Sequence, residues 1–290
     1  MAEVKFGVNL NNREPLIAPD YSLQDLLNLA ERAEQLGFDS VWVGDSLFSK
    51  PRWEPINILS AISQRTSKVK LGTACMVSGT RHPLYLALEW ATLDALSNGR
   101  TILGTGMGNP EEGVRREYTS VGLDFEKRAR IFEEGLSVLR QLWTEGKTDF
   151  SGETYQFDNV SFFSGTEMGP LMPVQAPPPI WVVSNPRLTV GTKQEEKTER
   201  VVSKAARRIA TYGDGWMTCC RAQHPEELVE QLKAIRGYAD EVGADFDRQV
   251  ISYQVTMNIG DSADDARRAF DEYISKYYPE LSQAMDLGNW

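Results

Sequence analysis

No run of eighteen consecutive apolar residues occurs in the 290-residue chain, so a membrane-spanning helix is not its organising element. Histidine is scarce, with only His82 and His224, and so is cysteine, with Cys75 alone and Cys219–Cys220 adjacent. Without a C-x-x-C spacing, and with so few soft ligands, a metal site built on His and Cys is not expected. Adjacent cysteines also have poor geometry for a mutual disulfide. Basic runs are missing: 31 Lys+Arg stand against 41 Asp+Glu, a formal charge of −10. That balance argues against nucleic acid and anionic membranes as partners. An anionic ligand must therefore be held by backbone N–H groups and hydroxyls rather than by a global field. The first residues, MAEVKFGVNL, lack the basic and apolar segments of a secretory signal, and the expected location is the cytoplasm.

The chain is 41% hydrophobic, enough for a real core. Its pattern alternates apolar strands with amphipathic helices. Strands are read at Val4–Leu10, Ser40–Val43, Val69–Val77, Thr101–Thr105, Pro179–Val183, Asp214–Cys219 and Val250–Met257. Helices are read after Ser22, over Glu54–Thr66, from Pro83 to Leu96, and over Phe125–Trp143, Glu195–Tyr212, Pro225–Val242 and Ala263–Tyr278. Strands too apolar for a wet face call for a parallel sheet covered by helices. A doubly wound dinucleotide fold should carry G-x-G-x-x-G straight after its first strand, and none stands there. The expectation is a single domain over residues 1–290, a (β/α)8 TIM barrel in which the eighth βα unit is not evident. The Gly- and Pro-rich stretch at 145–178 reads as an insertion or lid.

In such a barrel the chemistry lies on the loops after the strands. The long ones are Asn11–Tyr21, Asp45–Trp53, Gly106–Asp124 and Pro186–Glu196, and Arg13, Arg52 and Arg187 on them could pair with an anionic substrate, with a solvated surface role the default for each. Of the tryptophans, Trp42, Trp181 and Trp216 fall on strands and read as core; Trp53 and Trp90 are left undecided between core and a ligand ring.

The stretches LAERAEQLGFDSVWVGDS, RTSKVKLGTACM, RHPLYLALEWATLDALSNGR and ILGTGMG resemble the bacterial luciferase-like flavin monooxygenase family. DFEKRARIFEEGLSVLRQLWTEG, PPPIWVVSN and RRIATYGDGWM continue the likeness in order, so that it runs from about residue 4 to 285. The resemblance implies a cofactor of the flavin type, reduced FMN or the deazaflavin F420, a small-molecule substrate, a flavin reductase as possible partner, and a homodimer. It implies that Gly72, Thr73, Ala74, Cys75 and Met76 back the cofactor ring, with a non-prolyl cis peptide between Ala74 and Cys75. Gly106 and Met107 follow the fourth strand, and Ser184, Asn185, Thr218 and Cys219 occupy the family's phosphate-binding positions. Small residues and glycines suit such places because they admit close approach to the backbone.

Asp45, Ser46 and His82 are the candidate catalytic residues. Asp45 is a candidate for a polar contact with cofactor or substrate, and equally a cap of the following loop. The sugar-phosphate dehydrogenase branch of the family carries a His where Ser46 stands and a Glu where Met107 stands. A hydroxyl and a thioether cannot accept a proton near neutral pH, which disfavours alcohol oxidation by that route. His82, in an R-H-P step, reads as a structural turn as readily as an acid or base. The resemblance therefore favours a two-component monooxygenase that uses reduced flavin and O2. F420-dependent hydride transfer is the first alternative, and a non-catalytic flavin-binding protein the second.

Overall fold

The computed structural model describes residues 4–162, 170–185, 187–190, 198–201, 203–219, 225–255 and 257–277. In chain order the first half contains β1 (Gly7–Asn9), α1 (Glu14–Ile17), α2 (Leu23–Gln35), β2 (Ser40–Val43), α3 (Pro55–Ser63), β3 (Lys70–Thr73), α4 (Pro83–Ser97) and β4 (Thr101–Thr105). The chain continues through α5 (Glu112–Ser120), α6 (Arg128–Glu145), β5 (Lys147–Ser151), β6 (Gln156–Ser161), β7 (Ile180–Val183), β8 (Arg187–Val190) and β9 (Thr198–Val201). It ends with α7 (Ser203–Tyr212), β10 (Gly215–Cys219), α8 (Pro225–Val242), β11 (Val250–Gln254) and α9 (Ala263–Tyr277). Residues up to Tyr253 form one compact unit and those from Gln254 a second. Within the second, the Ser262 hydroxyl accepts the Asp265 N–H at 3.1 Å at the start of α9.

Local signals explain most of the boundaries. Ser22 and Asp25 form a reciprocal capping box that starts α2, whose buried face is Leu26, Ala30 and Ala33. Pro83 opens α4, and Asn98 closes it in the left-handed conformation at φ 57°. Gly146 ends α6 in the same way, at φ 71°.

Seven strands form one sheet in the order β1-β2-β3-β4-β7-β10-β11, and the strand pairs from β1 through β10 run parallel. Alternate residues divide between two cores. Val41, Val43, Leu71, Leu103 and Ile180 point to the helices and pack with Leu26, Leu59, Trp90, Phe132 and Trp143. Trp42, Ile102 and Met217 point the other way and cluster with Ala74, Trp181 and Val183. In a flat sheet β2 and β7, three strands apart, would be separated by about 14 Å. The Trp42 and Trp181 ring centroids are 5.1 Å apart, so the sheet curls around this inner cluster. The fold is thus a TIM-barrel-like α/β fold, a half-closed barrel with β1 and β11 at its edges. No eighth parallel strand occurs among the described residues.

At the N-terminal ends of the strands, side chains bond directly to main chain. Glu34 accepts the N–H groups of Ser67, Lys68 and Val69. The buried Arg100 guanidinium donates to the carbonyls of Ser63, Thr66, Val69 and Ser97 and to the Thr66 hydroxyl. Asp94, fully buried, accepts from Thr101 Oγ1 and from the Gln175 backbone and side chain. Asp214 accepts the Ile180 N–H and pairs with Arg140.

The insertion expected at 145–178 is present, and its Tyr155 packs with Val77 after β3 and with Val114 and Tyr118 of α5. The part described is an antiparallel β5–β6 hairpin, its turn held on α6 by Glu134, which accepts the N–H groups of Glu153, Thr154 and Tyr155. The return segment is anchored by Gln175 at the first residue of β4, the opposite end of the sheet, and residues 163–169 lie outside the described chain. Two expectations need correction. The helix expected over Glu195–Tyr212 starts only at Ser203. Before it, β8 and β9 pair as an antiparallel ribbon, in keeping with the β-branched Thr189, Val190, Thr198 and Val201. The third strand ends at Thr73 rather than Val77; a cis Ala74–Cys75 peptide follows, and beyond it Met76 makes a single parallel bridge to Thr105.

Candidate functional site

The C-terminal ends of the strands form a mouth whose floor is the inner cluster. Glycines let the indoles lie there: a Cβ on Gly72 would stand 2.2 Å from Trp42, and one on Gly215 2.7 Å from Trp181. Gly104 is tighter still, because a Cβ there would sit 1.9 Å from the Thr73 carbonyl oxygen. Above this floor the inward positions are small: Gly44, Ala74 and Gly106. Ala74 packs on the floor and, with Cys75, is half-buried. Gly106 makes a cradle, since a Cβ would come within 3.0 Å of the Val183 carbonyl and 3.4 Å of Cys75 Sγ. On Gly44 lies the Arg52 guanidinium, whose Nη1 donates to Asn12 Oδ1 at 3.1 Å. Asn12 is fully buried and ties the β1 loop to Gly44 and to the Trp53 carbonyl.

The residues expected to back a cofactor ring thus separate into two groups. Ala74 and Cys75 stand at the mouth, joined by the cis peptide expected there. Gly72 serves Trp42 instead. Thr73 and Met76 are fully buried: the Thr73 hydroxyl donates to the Gly104 carbonyl, and Met76 packs in the outer core. The Gly106 N–H is taken by the Met76 carbonyl, so it is not a ring donor as a free glycine turn would suggest. Met107 packs against the outer core, and its carbonyl accepts the Tyr118 hydroxyl at 3.1 Å.

Asp45 and Ser46 are structural in their contacts. The Asp45 side chain, 5% exposed, accepts the Val77 N–H at 3.0 Å and pairs with Arg81 at 2.9 Å. Burial alone would lower the Arg81 pKa, but Asp45 and Glu54 outweigh it and hold the guanidinium charged. The Ser46 hydroxyl donates to Glu117 Oε1 at 2.7 Å, and the same oxygen accepts the Phe48 and Ser49 N–H groups. Burial pushes the Glu117 carboxyl up, yet these donors win and hold it below the ordinary carboxylate range. His82 is an exposed cap of α4, its Nδ1 accepting from the Leu84 N–H, with its ring edge-on to Tyr85, Tyr155 and Phe157. Asp45 and Ser46 are thus both engaged by neighbouring groups, and His82 lies exposed at the start of α4.

At the ends of β7 and β10 the expected phosphate positions do come together. Thr218 Oγ1 donates to Asn185 Oδ1 at 2.6 Å, and the Ser184 N–H is bonded to the Met217 carbonyl. The side chains of Cys219 and Arg187, and the whole of His224, lie outside the described residues. Of the undecided tryptophans, Trp90 is fully buried in the helix layer and Trp53 is 42% exposed. Glu117, Arg81 and Asn12 were not singled out from sequence, since hydropathy treats a buried polar side chain as a solvated one. Among the described residues no group of His, Cys, Asp and Glu could hold a metal, and no helix is long and apolar enough to cross a membrane.

Ala74 and Cys75 on an indole floor, with the Thr218 hydroxyl and the Asn185 amide on neighbouring strand ends, are the small and polar groups gathered at the mouth. The chain matches the luciferase-like monooxygenase family over residues 4–190, and it belongs to that family. It is 31% identical over 160 residues to the F420-dependent glucose-6-phosphate dehydrogenase of Amycolatopsis mediterranei, covering 52% of this chain and 46% of that protein. To the enzyme of the same name from Mycolicibacterium fortuitum it is 29% identical over 268 residues, 87% of this chain and 70% of that protein. The chain thus spans less than half of the first relative's length. Among solved structures, the monooxygenase RslO1 from Streptomyces bottropensis superposes with a TM-score of 0.76 at 24% identity, over 97% of this chain and 79% of the other. An F420-dependent secondary alcohol dehydrogenase in complex with an F420–acetone adduct superposes at 0.72 and 22% identity, over 97% and 77%. These two share the fold.

Proposed function

We propose that this protein is an oxidoreductase that binds a flavin-type cofactor in the mouth of the curled sheet and exchanges two electrons with a small organic molecule. The observation that carries the reading is the half-buried Ala74 and Cys75 at the strand ends, Ala74 packed on Trp42 and Trp181, beside two carboxylates that are both committed to structure. Ala74 and Cys75 would support the ring, and Thr218, Asn185 and Ser184 would hold the phosphate. When bound, the cofactor supplies the electrons, either as hydride or to O2. The chain's own part is to orient the ring and exclude water.

What supports F420 ahead of FMN is the name shared by both relatives above, F420-dependent dehydrogenases at about 30% identity. This reverses the order in which the sequence ranked hydride transfer and oxygenation. Sugar-phosphate oxidation itself is not proposed, because Ser46 and Met107 stand where that branch carries its His and Glu. The FMN reading is supported by the family description and brings with it a separate flavin reductase. A homodimer in the cytoplasm belongs to either reading.

Binding of FMN and of F420 to the purified protein, each followed by fluorescence, tests the proposal. Oxidation of reduced F420 under anaerobic conditions then separates hydride transfer from O2 uptake with reduced FMN. Tight retention without either turnover supports the non-catalytic alternative. Ala74→Ile should weaken cofactor binding about tenfold or more, the equivalent of about 1.4 kcal/mol. Unchanged affinity refutes the placement of the ring.

A further inference from the structure

The loop after β2 and the helix α5 after β4 meet at one side of the mouth, and one buried carboxylate joins them. Glu117 is 1% exposed and takes three donors on Oε1: the Ser46 hydroxyl at 2.7 Å, the Phe48 N–H at 2.8 Å and the Ser49 N–H at 2.7 Å. Ser46 Oγ in turn accepts the Lys50 N–H at 2.9 Å, so residues 46–50 are bonded among themselves as well as to the helix. The surfaces also fit closely, since a Cβ on Gly113 of α5 would stand 2.7 Å from Ser49 Cβ. The exposed ion pair of Lys50 with Glu111, 3.7 Å apart, adds little. With the Phe48 and Ser49 N–H groups turned onto the carboxylate, the side chains of Leu47 and Phe48 stand 56% and 43% exposed, one face of the Phe48 ring lying 5.7 Å from the Arg116 guanidinium of α5. The loop is rooted at Asp45, whose N–H donates to the Cys75 carbonyl at 3.2 Å. At its other end, α5 is fixed to the β4 loop through Tyr118 and Met107.

We propose that Glu117 is a positioning residue: it holds residues 46–50 and α5 as one wall of the mouth and presents Leu47 and Phe48 as an apolar flank to an organic ligand resting on Ala74. The inference rests on the reading of the mouth as the cofactor site. Glu117 acts through the loop and transfers no proton. Its three donors keep it ionised against the effect of burial, and the Ser46 proton is already committed to it. A carboxylate is suited to this task because hydrogen bonds to a charged acceptor are about twice as strong as those between neutral groups.

Two variants break the wall in different ways. Glu117→Gln keeps the shape and removes the charge; Gly113→Val keeps the charge and wedges the surfaces apart. Amide hydrogen exchange at Phe48 and Ser49, read alongside the dissociation constants and visible spectra of bound FMN and F420, tests the proposal. Both variants should exchange at these amides about tenfold faster, bind the cofactor about tenfold more weakly and shift its absorption band, with exchange in α2 unchanged. Unchanged exchange at both amides overturns the wall. Faster exchange with unchanged affinity and spectrum overturns the positioning role. A wild-type protein that binds neither cofactor refutes the proposed function and the positioning role with it, while the exchange data still decide whether Glu117 holds the wall.

Discussion

The fit between Gly72 and the Trp42 ring makes a prediction in which the sign of an effect reverses. A methyl group at position 72 would lie 2.2 and 2.3 Å from Trp42 Cζ3 and Cε3, more than an ångström inside ordinary contact. The ring cannot retreat freely, since Trp181 lies 5.1 Å away across the inner core. Gly72→Ala should therefore destabilise the wild-type protein by the upper end of the overpacking range, about 3 kcal/mol. Trp42 is 6% exposed, and Trp42→Ala should cost about 3–5 kcal/mol through lost burial and the cavity left behind. In the Trp42→Ala background the clash is gone. There the substitution at Gly72 fills part of the cavity and restricts the unfolded chain, so it should stabilise by about 0.4–1 kcal/mol. The double variant should thus be more stable than the sum of the single ones by roughly 3–4 kcal/mol, a coupling expected only for residues in contact. Urea unfolding followed by far-ultraviolet circular dichroism on all four proteins measures this. An equal cost of Gly72→Ala in both backgrounds would refute the reasoning, because the glycine would then answer to the backbone and not to the indole.

Asp45→Asn should lower stability by about 2–3 kcal/mol, since it removes the charge that both the Val77 N–H and Arg81 face, and a urea midpoint equal to wild type rejects that role. Glu117 and Glu134 both have carboxyls depressed below the ordinary value of 4.5, in each case because backbone donors outweigh burial. Their contribution is complete above that value and is lost as pH falls through the lower folded-state values, so the urea midpoint should drop below about pH 4.5 and Glu117→Gln should flatten the slope. Thr218→Val should weaken FMN about tenfold and leave riboflavin, which has no phosphate, unaffected; equal losses for both in fluorescence titrations would move the phosphate elsewhere.

Much of the scaffold is legible in the sequence because buried parallel strands are written as apolar runs. Ser40–Val43, Thr101–Thr105 and the helix Pro225–Val242 are read from pattern to the residue, and the start of α4 follows from Pro83. The ribbon of β8 and β9 is not legible, since Thr198 to Val201 can be placed on a helical face as easily as on a strand. The segment before β7 is legible as an insertion, but its glycines and prolines do not tell that Gln175 ties its return to the first residue of β4. The cis Ala74–Cys75 peptide that the family resemblance implies is present, and Thr218 is hydrogen-bonded to Asn185. The division of labour among the glycines is hidden, because nothing in a sequence tells whether a missing side chain makes room for a ligand or for Trp42. Glu117 escapes notice because its partners, two backbone N–H groups and a serine, have no charge to match.

The two poles of the sheet are secured by different means. Arg100, Asp94, Glu34 and Asp214 stitch main chain to side chain at the entry ends of the strands, whereas at the exit ends Asp45, Asn12 and Glu117 tie the loops to one another. Exchange of the exit loops with those of relatives should leave the protein able to fold where Asp45, Asn12 and Glu117 keep their partners, which marks the stretches between them as targets for grafting new selectivity. A single conservative change such as Arg100→Lys at the opposite pole should be far less forgiving, because an ammonium cannot reach the carbonyls that the planar guanidinium spans.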